Sequence, residues 1–99
     1  MIEVVWSNRA IHELDSILEF WYARNESDSY PHKILVASDE AIHLIKSYPN
    51  VGIATNHRNV KMRLVLDRYY LVYRFNEHVV EVLKFWDCRQ DPESNPYLR

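Results

Sequence analysis

The sequence predicts an α+β fold in the order β-α-α-β-β-β, with a two-helix hairpin packed against a mainly antiparallel sheet. Three observations point there. Two apolar stripes recur at helical spacing in the first half of the chain, and the second stops at Pro49. A polar run, Asn25-Glu26-Ser27-Asp28-Ser29, separates them and is short enough to join neighbouring helices. The last third instead alternates in three runs with tight connections, the period of strands that bury one face.

Residues 2–6 form a short apolar strand interrupted by Glu3. Ser7 stands where a helix N-cap belongs, although Ala10 leaves the reciprocal capping box incomplete. Ala10, Ile11, Leu14, Ile17, Leu18 and Trp21 make the first stripe, with Arg9, Glu13 and Glu19 outward. Ser29 followed by Pro31 begins the second helix, whose stripe is Ile34, Ala37, Ala41, Leu44, Ile45 and Tyr48. Leu14, Ile17, Trp21, Leu44 and Ile45 are expected between the helices and the sheet. Residues 50–59 read as a loop holding Gly52, the single glycine of the chain. Strands follow at 60–66, 69–75 and 79–86, joined at Asp67-Arg68 and Asn76-Glu77-His78. In the first of them Val60, Met62, Leu64 and Leu66 share the face expected to meet the core. Lys61, Arg63 and Val65 share the face expected to offer cations to solvent.

The 99 residues are expected to form one domain, 1–99, without repeat or low-complexity tract. An apolar fraction of 47% argues for a packed globule rather than a disordered chain. The lone Cys88 excludes an internal disulfide and a four-cysteine zinc site, and reads as a small buried residue rather than a nucleophile. No signal peptide or membrane span is expected, which points to the cytoplasm. The net charge of −2 hides an asymmetry. Residues 1–56 carry four cations against eight anions, whereas 57–75 carry Arg58, Lys61, Arg63, Arg68 and Arg74 against Asp67 alone. Such a basic stretch can hold phosphates or an acidic protein, or can be a solvated strand face.

A single glycine rules out phosphate-cradling loops and dinucleotide fingerprints. His12-Glu13-Leu14-Asp15-Ser16 opens like a zinc-protease helix but lacks the second histidine, and the five histidines show no ligand spacing. No metal or other cofactor is expected. What remains is a surface of Lys61, Arg63, Arg74, Arg89, His57 and Tyr97. Arginines grip phosphates bidentately, and a histidine, lysine or tyrosine could move a proton in metal-free RNA cleavage.

Taken together, several segments resemble the RelE/ParE superfamily of bacterial toxins, the plasmid-stabilisation toxins of type II toxin–antitoxin modules. They are Val5-Trp6-Ser7 leading through Ala10, Leu14 and Ile17 to Trp21-Tyr22, Ser47-Tyr48-Pro49-Asn50-Val51-Gly52, Tyr70-Leu71-Val72-Tyr73-Arg74-Phe75, and Trp86-Asp87-Cys88-Arg89-Gln90-Asp91-Pro92. The resemblance covers nearly the whole chain. It implies a growth inhibitor neutralised by a cognate antitoxin, with either DNA gyrase or the ribosome and its mRNA as target. A homodimer is a further expectation. ParE-like members poison gyrase without being enzymes, and the opening and the helix end at Tyr48-Pro49 lean that way. RelE-like members are endoribonucleases that cleave mRNA on the ribosome. For that branch the resemblance implies Lys61, Arg63, Arg89 and Tyr97 as catalytic candidates, but Tyr70 stands where its pattern has an arginine. A degenerate member that only binds other proteins is a third reading.

Arg58, His57, Tyr70 and Arg74 are the candidate partner-binding residues. The antitoxin is expected on the basic sheet face or in the groove beside it. Arg89, following Phe85-Trp86, is expected either to project as a functional cation or to pair with Asp87 or Asp91.

Overall fold

The computed structural model describes residues 2–24, 29–89 and 96–98. Strand β1 (Glu3–Trp6) leads into helix α1 (Asn8–Arg24), and α2 (Ser29–Ser47) follows. A 3-10 turn (Pro49–Val51) precedes β2 (Ile53–Ala54), β3 (Val60–Val65), β4 (Tyr69–Phe75) and β5 (Val79–Asp87), and a second 3-10 turn closes the order at Pro96–Leu98. The sheet runs β1-β5-β4-β3-β2, with β1 parallel to β5 and the other pairs antiparallel. The α+β order is as the sequence predicts, with one addition. The two-residue β2 lies inside what reads as a loop, too short to show a period. The polar run 25–28 and the segment Gln90-Asp91-Pro92 lie outside the described residues.

Ser7 caps α1: its hydroxyl accepts from the Ala10 N–H at 3.0 Å, the third-position bond that defines an N-cap. The helix face is right in outline. Ala10, Ile34, Ala41 and Ile45 are buried, and Leu14, Ile17, Leu18 and Trp21 pack half-buried against the same core. Leu44 is half-buried in a groove beside β3. Two stripe members depart from expectation, Ile11 at 44% exposure and Tyr48 at 67%. Ile11 lies at the rim of the stripe. Tyr48 follows the last helical residue, where Pro49 has already turned the chain.

The larger correction concerns which face of β3 meets the helices. Lys61, Arg63 and Val65 pair with Tyr73, Leu71 and Tyr69, and all three of those β4 residues are buried in the helix-facing core. Directly opposed residues of an antiparallel ladder share a face. Lys61 and Arg63 therefore lie on the helix side, at its rim, not on the open side. Val60, Met62 and Val72 instead make a second buried cluster on the far face, with Tyr70, Leu83 and Tyr97 packed against it. Alternation gives the period but not which face is covered. Leu66 also leaves the strand: with Asp67 it takes φ 53 in the β3–β4 turn, as a type I′ hairpin requires.

Candidate functional site

Candidate side chains gather in three places. The first is where β5 runs past the end of β1. The β1 pairing stops at Val82, and α1 then lies along the exposed strand edge. Glu13 of α1 accepts from the Phe85 N–H at 3.2 Å and from the Lys84 ammonium at 2.5 Å. Lys84 is only 3% exposed, so that carboxylate is what allows a charge there at all. A register shift in the β4–β5 ladder lies beside it.

Trp21 sits next along α1, donating to the Tyr69 hydroxyl at 3.0 Å, with the guanidinium groups of Arg68 and Arg89 5.0 and 5.9 Å from its ring. Burial pushes the Tyr69 phenol up to about 12. Asp87 binds Arg89 through both carboxylate oxygens, at 2.8 and 3.2 Å, and also accepts from the Arg89 N–H at 2.9 Å. Burial pushes the Asp87 carboxyl up, but the Arg89 hydrogen bonds, with the Arg89 and Arg68 charges, outweigh it and hold the pKa below the ordinary value. The same bonds raise Arg89. Arg89 is thus the ion-pair alternative with Asp87, while Asp91 lies outside the described residues. A cleft of about 590 Å³ opens beside this corner, lined by Ile17, Phe20, Trp21, Phe85 and Arg89 among others.

The second place is the helix-side rim of β3, with Lys61 and Arg63. Here the buried Tyr73 hydroxyl donates to the Pro49 carbonyl at 2.7 Å and accepts from the Gly52 N–H at 3.0 Å. Desolvation raises the Tyr73 pKa. A Cβ on Gly52 would lie 2.6 Å from that hydroxyl and 2.9 Å from the Lys61 Cβ. The single glycine thus answers to a close approach, not to an unusual φ.

The third place is the open face. The His57 and Tyr97 rings stand 4.8 Å apart, and Tyr97 packs on the Val60–Met62–Val72 cluster with Tyr70. Arg74 is bound by Glu81 at 2.6 Å. Arg58 is exposed in the turn before β3.

The structure therefore divides the sequence-based candidates. Lys61 and Arg63 lie together. Tyr97, His57, Tyr70 and Arg74 lie across the sheet from them, and Arg89 belongs to the α1–β5 corner. Glu13, Trp21, Arg68 and Lys84 were not anticipated. A lysine inside the apolar run 79–86 was the available signal, since a buried strand can hold it only against a carboxylate. Cys88 is exposed rather than buried. Desolvation and the Asp87 charge push its thiol up, the opposite of activation. Among the described residues, no cluster of three His, Cys, Asp or Glu could hold a metal ion.

The sequence profile of the family described as "ParE toxin of type II toxin-antitoxin system, parDE" matches residues 4–92. The chain belongs to the ParE toxin family. It is a RelE/ParE-superfamily toxin, as the four resembling segments imply. Solved structures share the ParE-family fold. One, described as "Chromosomal ParDE TA system from P. aeruginosa", superposes with a TM-score of 0.70 at 16% identity, covering 88% of this chain and 96% of that one. A "YoeB/ParE toxin from Agrobacterium tumefaciens" gives 0.63 at 17% identity, covering 87% and 98%. No curated protein matches in sequence. Among the described residues no helix of this ParE-family chain is long and apolar enough to cross a membrane.

Proposed function

We propose that this ParE-family toxin arrests growth by inhibiting DNA gyrase in the cytoplasm, through protein–protein contact rather than chemistry of its own, until a cognate antitoxin covers it. The observation that carries this reading is the separation of the RelE-like candidates. Lys61 and Arg63 share a face with the buried Leu71 and Tyr73, whereas Tyr97 packs with Tyr70 and Val72 on the other. A nuclease needs its cations and its proton-transfer groups around one phosphate. Arg89, held by Asp87 at the α1–β5 corner, supports the same reading.

Ribosome-dependent mRNA cleavage is the second reading, favoured by the His57–Tyr97 contact of 4.8 Å, two groups able to move protons. Induction of the chain without antitoxin separates the two. The gyrase reading expects growth arrest with DNA breaks and an SOS response while transcripts stay intact. Arrest with cleaved transcripts and intact DNA supports the nuclease, and continued growth at full expression opposes both.

A further inference from the structure

Strand β5 outruns its neighbour. Its pairing with β1 ends at Trp6 and Val82, yet the strand continues to Asp87, so its last residues have sheet on one side only. The Cys88 N–H donates to the Arg68 carbonyl at 2.8 Å. That turns the backbone groups of Cys88, and by alternation those of Trp86, toward β4. The groups of Phe85 and Asp87 therefore point the other way, toward α1. Glu13 meets the first of them, accepting from the Phe85 N–H at 3.2 Å. The Asp87 N–H makes no hydrogen bond among the described residues. The helix explains the difference. Past Glu13, the wall it presents is Ser16, Ile17, Phe20 and Trp21, with no second carboxylate, because Asp15 and Glu19 are exposed and lie off the cleft. The space left between that wall and the end of β5 is the cleft of about 590 Å³.

Charge at this corner is out of balance. Two carboxylates face four cations: Glu13 meets Lys84 and the more distant Arg9, and Asp87 meets Arg89 with Arg68 beside it. The buried Arg68 Nε has no acceptor among the described residues, and the Arg68 and Arg89 guanidinium groups flank the Trp21 ring. Arg89 gives Asp87 its Nε and one terminal nitrogen, which leaves the other terminal nitrogen unbonded on an exposed side chain. The corner thus calls for one more anion. The apolar floor adds a second demand, with Phe20 still 42% exposed. A bare phosphate would leave that floor uncovered, and a net charge of −2 disfavours a polyanion. A carboxylate beside an apolar side chain answers both.

We propose that this cleft is where the toxin grips gyrase, an inference that rests on the gyrase reading above. An aspartate or glutamate of the gyrase surface accepts from the Asp87 N–H and from the unbonded Arg89 nitrogen, and an apolar side chain next to it covers Ile17 and Phe20. The bond repeats at Asp87 what Glu13 does two residues earlier at Phe85. The Asp87 carboxylate, turned to Arg89, is the repulsive group at hand, and the Arg68 charge offsets it. Because Glu13 ties α1 to β5, the pocket stands formed before its occupant arrives, which lowers the ordering cost of binding. An arginine among aromatic side chains in such a pocket is where interfaces concentrate their energy.

The probe for the pocket is N-acetyl-glutamyl-phenylalanine amide, with its glutaminyl counterpart as the uncharged control, each titrated into the full chain and followed by amide NMR. The glutamyl peptide is expected to move the Asp87 amide and Trp21 indole resonances. It should bind at least about tenfold more tightly than the control, the margin of one hydrogen bond to a charged group. Equal binding of the two, shifts confined to other residues, or displacement by a short DNA duplex overturns the pocket. Gyrase is tested separately. Ser16→Trp, at an exposed position on the cleft wall, should raise the concentration of chain that stops supercoiling by at least about tenfold with the thermal midpoint in place. Phe20→Gln should act in the same direction, and Asp39→Trp on α2 should change nothing. Full inhibition by both cleft variants overturns gyrase as the occupant. A wild-type chain that binds the glutamyl peptide but leaves supercoiling untouched upholds the pocket and overturns the gyrase reading.

Discussion

Where β5 meets α1, Lys84 holds Glu13 at 2.5 Å and Arg89 holds Asp87 at 2.8 Å. At the opposite side of the sheet, Lys61 and Arg63 hold no carboxylate among the described residues, and the strand that carries them is only partly paired. The two regions use the same residue types in opposite ways. At the α1–β5 corner, Lys84 is enclosed against Glu13 and the exposed Arg89 is held by Asp87, while the buried Arg68 Nε has no hydrogen-bond partner among the described residues, and the Glu13 contacts fix a helix to an unpaired strand edge. Along β3, charge is left at a rim beside free backbone and exposed leucines. A cation count along the sequence does not distinguish these situations. Geometry does: Lys84 and Arg89 each hold a carboxylate, and Lys61 and Arg63 hold none among the described residues.

The largest effect tests how far the corner is structural. Glu13→Ala leaves the buried Lys84 without its carboxylate and is expected to cost about 3–5 kcal/mol in urea unfolding. Adding Lys84→Met to that variant should recover most of the loss, because the uncompensated charge is gone. A loss below about 1 kcal/mol for Glu13→Ala would show that the pair behaves like a surface contact and would erase the contrast between the regions.

Next comes the tie between the 3-10 turn and Tyr73. Gly52→Ala forces a methyl against the Tyr73 hydroxyl and the Lys61 Cβ, at 2.6 and 2.9 Å. The expected destabilisation is about 1–3 kcal/mol, read as a lower thermal midpoint. An unchanged midpoint would mean that the turn shifts freely.

A smaller effect separates Arg89 from the β3 cations by pH. The folded-state pKa of Asp87 lies below its ordinary 3.8. Its contribution to stability is therefore full above that ordinary value and is lost as pH falls through the folded one. In Arg89→Gln the opposing desolvation remains, so the Asp87 carboxyl should titrate at higher pH and acid unfolding should begin earlier. Carbon-detected NMR titration of Asp87 checks this, and an unmoved titration would place the stabilising charge elsewhere. The smallest effect is expected at the rim: Lys61→Gln and Arg63→Gln should each change stability by less than about 0.5 kcal/mol. A larger loss in urea unfolding would mean that these side chains hold the fold.

The element order was legible because each signal was local. Ser7 before a helical stripe, Pro49 after one, and a strict alternation from Val60 to Leu64 each follow from the backbone preferences of a few neighbouring residues. The covered face of β3 was not legible, because a two-residue period is symmetric between faces. Val65 belongs with the helix-side core and Val60 and Met62 with the far cluster, so both faces of this strand bury apolar residues. Lys84 was hidden for a related reason: its partner Glu13 comes from a helix 71 residues earlier in sequence. The candidate site was legible in kind, as a basic stretch at 57–75, but not in arrangement. The β4 register puts Arg74 and Tyr70 across the sheet from Lys61 and Arg63.

The central claim is that this ParE-family chain acts on gyrase by surface contact and not on RNA by catalysis. Its most direct test uses the purified chain in two reconstituted reactions at the same concentration, DNA supercoiling by gyrase and translation of a defined transcript on ribosomes. The account predicts that supercoiling stops, or that gyrase-linked DNA breaks accumulate, while the transcript remains full length. Undisturbed supercoiling together with a cleaved transcript would contradict it.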